Sequence, residues 1–189
     1  MTFLSIIISS IALLISVATF WLTRVKKGNI KMTRPTIICF VPKNGGDNPK
    51  IFLRTLLYST SERGQYIQNM FIQLQKDEKT KNFNAWAYGE KGKGLVRGSG
   101  LFVDKTGIEE YHHFLLPTWD DDYIFSAGEY TIGVFIEPVN EIPKRIFEYT
   151  LTLDDSRKGE ATAIYFDWES DKQNYYPHFD IGRGLPNLT

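Results

Sequence analysis

The sequence predicts an all-β protein, with one N-terminal transmembrane helix followed by a single antiparallel β-sandwich. Three observations carry that reading. Residues Met1 to Thr23 hold no Asp, Glu, Lys, Arg or His. Beyond them the chain breaks into short apolar–polar alternations, rich in β-branched and aromatic residues, with turn signals between. Nothing after residue 23 repeats with the period of a helix that buries one face.

The first element is the apolar run Phe3 to Leu22. At about 1.5 Å per residue it is long enough to cross a hydrocarbon core of about 30 Å. Phe20 and Trp21 stand where an aromatic belt is expected, and Arg24, Lys26, Lys27, Lys31 and Arg34 follow with no acid before Asp47. The positive-inside rule puts this flank in the cytoplasm and the N-terminus outside, as in a single-pass protein of a bacterial inner membrane. Residues 1–23 are thus read as the anchor, 24–34 as a basic juxtamembrane linker, 35–169 as the sandwich and 170–189 as an irregular tail.

Two other readings of the run are weaker. A cleaved signal peptide would use Ser16-Val17-Ala18, but it lacks a basic start and the cations behind it oppose export. A buried core helix would show a polar face, and only Ser and Thr interrupt this run. Ser5 and Ser9 share a helix face with Ser16 two turns on, which suits either a helix–helix contact or bonding back to the helix's own backbone.

Pro35 disfavours helix at Arg34 and opens an extended stretch, so Thr36 to Val41 reads as a strand. Residues 42–49, with two Gly and two Pro, form a loop. Strands follow at Ile51 to Tyr58, Ile67 to Gln75 and Asn82 to Tyr88. Leu95 to Val103 is a strand interrupted at Gly98-Ser99-Gly100, and His112 to Leu116 is a short one. The clearest alternations are Glu129 to Glu137 and Ile146 to Leu153, and Ala161 to Trp168 completes the set. Strands this short and this regularly punctuated pack as two antiparallel sheets.

Ala127-Gly128-Glu129-Tyr130-Thr131-Ile132 resembles the tyrosine corner of immunoglobulin-like sandwiches, in which a Gly-x-Tyr precedes an inward residue. The resemblance covers about six residues and implies an immunoglobulin-like fold with Tyr130 as the corner tyrosine. The Cys…Trp…Cys framework of antibody domains is absent, since Cys39 is the only cysteine. A fold of this kind implies no function.

The net charge is zero but unevenly spread: Arg24 to Arg63 carries +7, Gln65 to Val103 +3, and the rest −10. Anionic lipid would draw the first part and repel the last, unless strands from both halves interleave. A single cysteine excludes an intrachain disulfide, which suits a reducing compartment.

No stretch carries a catalytic signature. The Gly89 to Gly100 segment has the glycines and cations of a phosphate loop but no Gly-Lys-Ser/Thr, so a hairpin is expected. His112 and His113 point to opposite faces of a strand and cannot share a metal; one is expected to be exposed and the other packed. Asp120, Asp121 and Asp122, and the alternating Asp167, Glu169 and Asp171, offer carboxylates for calcium but read first as solvated surface. Ser99 with a histidine and Asp120 supplies the residue types of a hydrolase triad without the Gly-x-Ser-x-Gly elbow. Cys39, in an apolar run, is expected to be packed. The expectation is therefore no enzyme, no cofactor and no metal.

Aromatic residues are plentiful, and an exposed set would mark a partner surface. Trp86, Tyr88, Trp119, Tyr175 and Tyr176 are the candidates. The sequence thus suggests a non-catalytic binding or scaffold module on the inner face of a membrane. Its expected partners are the lipid bilayer, another membrane or cytoplasmic protein and further copies of itself, with no nucleic acid. The alternatives are an exported carbohydrate- or envelope-binding domain and a membrane-tethered enzyme whose site is assembled from dispersed residues.

Overall fold

A run of apolar side chains with no charge satisfies its own backbone most simply as a helix, and Thr2–Phe20 forms one, α1. The computed structural model of the chain describes residues 2–43, 48–90, 94–117, 123–154 and 163–180. No side chain of α1 is buried. With the π-helical turn Trp21–Val25 it makes a 24-residue helix, long and apolar enough to cross a membrane. Ser10, Ser16, Thr19 and Thr23 donate to the carbonyls four residues back, so these hydroxyls are satisfied within the helix. The backbone turns extended at Lys26.

Thirteen strands follow among the described residues: β1 (Ile30–Met32), β2 (Ile37–Val41), β3 (Lys50–Ser59), β4 (Gln65–Lys76), β5 (Lys79–Phe83), β6 (Ala85–Glu90), β7 (Gly94–Arg97), β8 (Leu101–Val103), β9 (Ile108–Leu115), β10 (Gly128–Pro138), β11 (Lys144–Leu153), β12 (Ala163–Glu169) and β13 (Asn174–Asp180). Every pairing between them is antiparallel. One sheet runs β13-β12-β2-β3-β9-β6-β7, with β1 beside β2 on β3; the other runs β11-β10-β4-β5, with β8 also on β4. Their inner faces meet in one apolar core, which draws Phe40, Leu53, Phe114 and Phe166 from the first sheet and Met70, Ile72, Tyr130 and Val134 from the second. The expected all-β sandwich behind an apolar helix is what forms. A smaller cluster of Cys39, Phe52, Ala163 and Tyr165 lies on the other face of the first sheet, which is why Cys39 is fully buried.

The alternation in β10 holds for its side chains: Tyr130, Ile132, Val134 and Ile136 are all in the core, and the residue buried between them, Gly133, has no side chain. Tyr130 also donates its hydroxyl to the Ser126 carbonyl, four residues upstream, at 2.5 Å. Tyr130→Phe keeps the ring and leaves that carbonyl without this donor. Stability measured by urea unfolding is expected to fall by about 1 kcal/mol.

Four sequence expectations are corrected. The basic linker is not free chain, because β1 lies inside it and Thr33 N–H and Thr36 N–H continue the pairing onto β3 at 2.9 and 3.1 Å. The tail is not irregular throughout, since β13 pairs along all of β12. Asn82 to Tyr88 is not one strand: the chain leaves the second sheet after Phe83 and enters the first at Ala85. Leu95 to Val103 likewise divides, with β7 in the first sheet and β8 in the second. The charged halves do interleave, as acidic β9 lies against basic β3 and pairs Arg54 with Glu109.

Candidate functional site

The two histidines lie back to back on β9. His112 faces the inter-sheet core, where its Nδ1 accepts the Trp86 indole N–H at 3.2 Å. His113 faces the smaller cluster, its ring 5.2 Å from that of Phe52. The expected opposite faces are found, but the expectation that one histidine is exposed is corrected: both are buried, because both faces of this sheet are apolar there. Burial pushes both imidazoles down to about 4, helped at His112 by His113 and at His113 by Lys50. Among the described residues His112 Nε2 and both nitrogens of His113 have no hydrogen-bond partner, so no described hydroxyl is paired with either ring as a triad would require. Cys39 is likewise pushed well above the ordinary thiol range by burial. Among the described residues no group of three His, Cys, Asp or Glu could hold a metal ion. Asp120, Asp121 and Asp122 lie outside the described residues.

The proposed aromatic surface does not assemble. Trp86 lies in the inter-sheet core, with Tyr88 half-buried against it at 5.3 Å. Tyr175 is buried and donates its hydroxyl to the Pro35 carbonyl at 2.6 Å. The physical reason is the change of sheet at Asn84, which turns the Trp86 face inward, and the pairing of β13, which turns Tyr175 toward the core. Tyr176 is exposed, its ring beneath the Lys172 ammonium. Trp119 lies outside the described residues.

The cationic flank, by contrast, joins a built junction. Arg24 lies in the π turn, and only Lys26, Lys27, Gly28 and Asn29 separate that turn from β1. These residues are held at several points. Asn29 exchanges two bonds with Thr60, through the Thr60 hydroxyl at 2.8 Å and the Thr60 backbone N–H at 3.0 Å. The Gln65 amide donates to the Gly28 carbonyl at 2.7 Å, and Arg63 donates to the Val25 carbonyl at 3.4 Å. Leu22 and Lys26 meet the Ser59–Glu62 loop and Lys105 around a shallow cleft. Lys27 pairs with Glu141 at 3.5 Å, and Lys144 holds the same carboxylate at 2.5 Å, which together keep it below the usual carboxylate range. Lys31 is exposed on β1, and Arg34 lies 3.5 Å over the Trp168 ring, covering the β12–β13 hairpin. Of the five flank cations, three lie beside the helix end, Lys31 lies on β1 and Arg34 in the connection from β1 to β2.

Gly28 makes this grip possible. A Cβ there would stand 2.6 Å from the Ser61 backbone nitrogen, which cannot move aside as a flexible side chain could. Gly28→Ala is therefore expected to pry the tether from the loop and speed amide hydrogen exchange at Asn29 and Thr60 by about tenfold, the equivalent of about 1.4 kcal/mol, while amides in β10 keep their protection. The gripping residues Thr60, Ser61, Arg63 and Gln65 carry no sequence signal, because a polar turn reads the same whether or not it holds another segment.

Comparison with protein-family models, with curated proteins and with solved structures finds no match to this chain.

Proposed function

We propose that this chain is a single-pass membrane protein whose β-sandwich sits on the cytoplasmic face and serves as a non-catalytic binding or scaffold module. One observation carries the reading: α1 is a long helix of mostly apolar side chains with no charge, yet the folded domain covers none of them. Side chains of this kind are left in water at about 1.5–3 kcal/mol each, so lipid is the environment they call for. The cations beyond Trp21 support an inward-facing domain of the bacterial inner-membrane type, with the N-terminus outside. The buried histidines, one held by Trp86 and the other packed on Phe52, and the inert Cys39 support a non-catalytic role, because the groups best suited to catalysis are spent on packing.

An immunoglobulin-like fold is part of the same proposal. The orders β2-β3-β9-β6 and β11-β10-β4-β5 correspond to the A-B-E-D and G-F-C-C′ orders of such sandwiches, with Tyr130 on the strand that carries the corner tyrosine. β12 and β13 extend the first sheet beyond that pattern.

A reporter fused after residue 189 tests the placement. Activity of a cytoplasm-dependent reporter supports it, and activity only of an export-dependent reporter overturns it in favour of an exported binding domain. Purification of the full chain in mild detergent tests the module reading: a stoichiometric protein partner or a defined self-assembly supports it, and repeated isolation of a bare monomer counts against it.

A further inference from the structure

Beyond the helix and its π turn, seven large apolar side chains are exposed among the described residues: Tyr66, Leu95, Phe102, Ile124, Val139, Ile142 and Tyr176. Their distribution is uneven. Tyr66 and Phe102 face each other across β4 and β8, their rings tilted against each other with centroids 4.8 Å apart and exposed by 63% and 45%. Val139 donates its N–H to the Tyr66 carbonyl at 3.1 Å and is 45% exposed. Ile142, at 79%, lies in the same β10–β11 turn. The four belong to one end of the sandwich, the end that receives the tether: Lys27 and Arg63 line a single cleft with Tyr66 and Val139.

The location matters because the connection is short. α1 is 19 residues long, about 28 Å at helical rise, which is close to the thickness of a hydrocarbon core. The π turn then carries the chain only about 7 Å further, into a headgroup layer of about that depth. Arg63 is bonded to the last residue of that turn and the loop beside it to Asn29, so this end of the domain stands at headgroup level. The charge there has the sign that suits anionic lipid. Arg24, Lys26 and Lys27 at the helix end, Arg63 and Lys105 in the loops and Lys144 at the start of β11 outnumber Glu62, Asp104 and Glu141.

We infer, on the membrane-anchor reading above, that the tether end of the sandwich is a second membrane-contact surface: Tyr66, Phe102, Val139 and Ile142 enter the interfacial layer of the bilayer the helix spans, and the surrounding cations bind its anionic headgroups. The domain then lies on the membrane in one orientation instead of swinging from its anchor. Tyrosine and phenylalanine are at home in that layer. Gly64 makes room for the aromatic pair, because a Cβ there would stand 2.2 Å from Phe102 Cζ and displace the end of the ring.

The full chain in vesicles tests this. Variants with one added cysteine, Leu14→Cys, Ile142→Cys and Glu78→Cys, report on the helix, the tether end and the turn at the opposite end; native Cys39 is buried and escapes labelling. Each carries a polarity-sensitive fluorophore in phosphatidylcholine vesicles, with or without phosphatidylglycerol, and the quencher is a lipid-borne nitroxide. Quenching at Ile142 several-fold stronger than at Glu78, and stronger still with phosphatidylglycerol, is the expected result. A quenched Leu14 probe with Ile142 no more quenched than Glu78 overturns the surface and leaves the anchor standing. An unquenched Leu14 probe overturns the anchor, and the surface with it. Phe102→Cys, read in the same way, guards against an effect of the label at Ile142, and an unquenched probe there also overturns the surface.

Discussion

Acidification from about pH 7 to about pH 4 is expected to weaken the domain by about 6 kcal/mol, with His112 and His113 each contributing about 3. Both imidazoles are buried and neutral, and burial holds them at about 4 against an ordinary 6.5. Below 6.5 the unfolded chain takes up protons that the folded chain refuses until about 4. The unfolded state therefore binds more protons throughout that window, and stability falls as the pH falls through it. A domain of ordinary stability, about 5–15 kcal/mol, would lose much of its margin. Urea unfolding of the full chain in detergent at the two pH values measures the loss. His112→Phe and His113→Leu should each remove about half of the pH slope singly and nearly all of it together, whatever they do to stability at neutral pH. The ion-paired Glu141 and the capped Asp104, whose carboxyls are held below their ordinary values, release their contributions at lower pH than the histidines do. Equal unfolding midpoints at pH 7 and pH 5 would mean that water or a counter-charge reaches the imidazoles.

The sandwich was legible in the sequence wherever a strand keeps one face to the core for its whole length. β10 is the example: an alternation of period two needs only a buried side and a less buried side, and Tyr130 to Ile136 obey it. Reading failed where the chain changes sheet. Between Phe83 and Trp86 the inward face switches across Asn84, so two buried aromatics stand three positions apart and the alternation assigns them to opposite sides. The same break of period made Trp86 look like surface. β1 was missed because Ile30-Lys31-Met32 is too short to show a period, and its two core residues sit among the cations that marked a linker. β13 was missed because Pro177 and a polar start read as loop, although a proline is tolerated at the outside of a sheet. The helix and its cations needed only composition, so they were readable. The grip of Thr60 and Gln65 on the tether, and the gathering of Tyr66, Phe102, Val139 and Ile142 at one end, depend on contacts between residues far apart in the chain, which no local pattern encodes.

The change of sheet at residues 98–100 sets up the second large effect. Gly98 →Ala is expected to cost about 2–3 kcal/mol, at the upper end for overpacking. Gly98 donates its N–H to the Trp86 carbonyl at 2.8 Å, which holds the two backbones together. A Cβ on it would stand 2.3 Å from Trp86 Cε3 and 2.6 Å from Cδ2. The indole has no room to yield, since it is 2% exposed and tied by its N–H to His112. Backbone strain does not enter, because Gly98 is outside the left-handed region, unlike Gly100 at φ +127. The clash is therefore with the ring alone, and that makes a sharper statement than the loss itself. Trp86→Leu should cost about 3 kcal/mol by emptying the site and freeing His112 Nδ1. Gly98→Ala introduced into that variant should then cost little, a coupling of about 2 kcal/mol in a double-mutant cycle read by urea unfolding at neutral pH. Strictly additive losses would assign the intolerance at position 98 to its backbone. A strong coupling would make the close approach of glycine and indole the contact that lets one chain cross from one sheet to the other without opening the core.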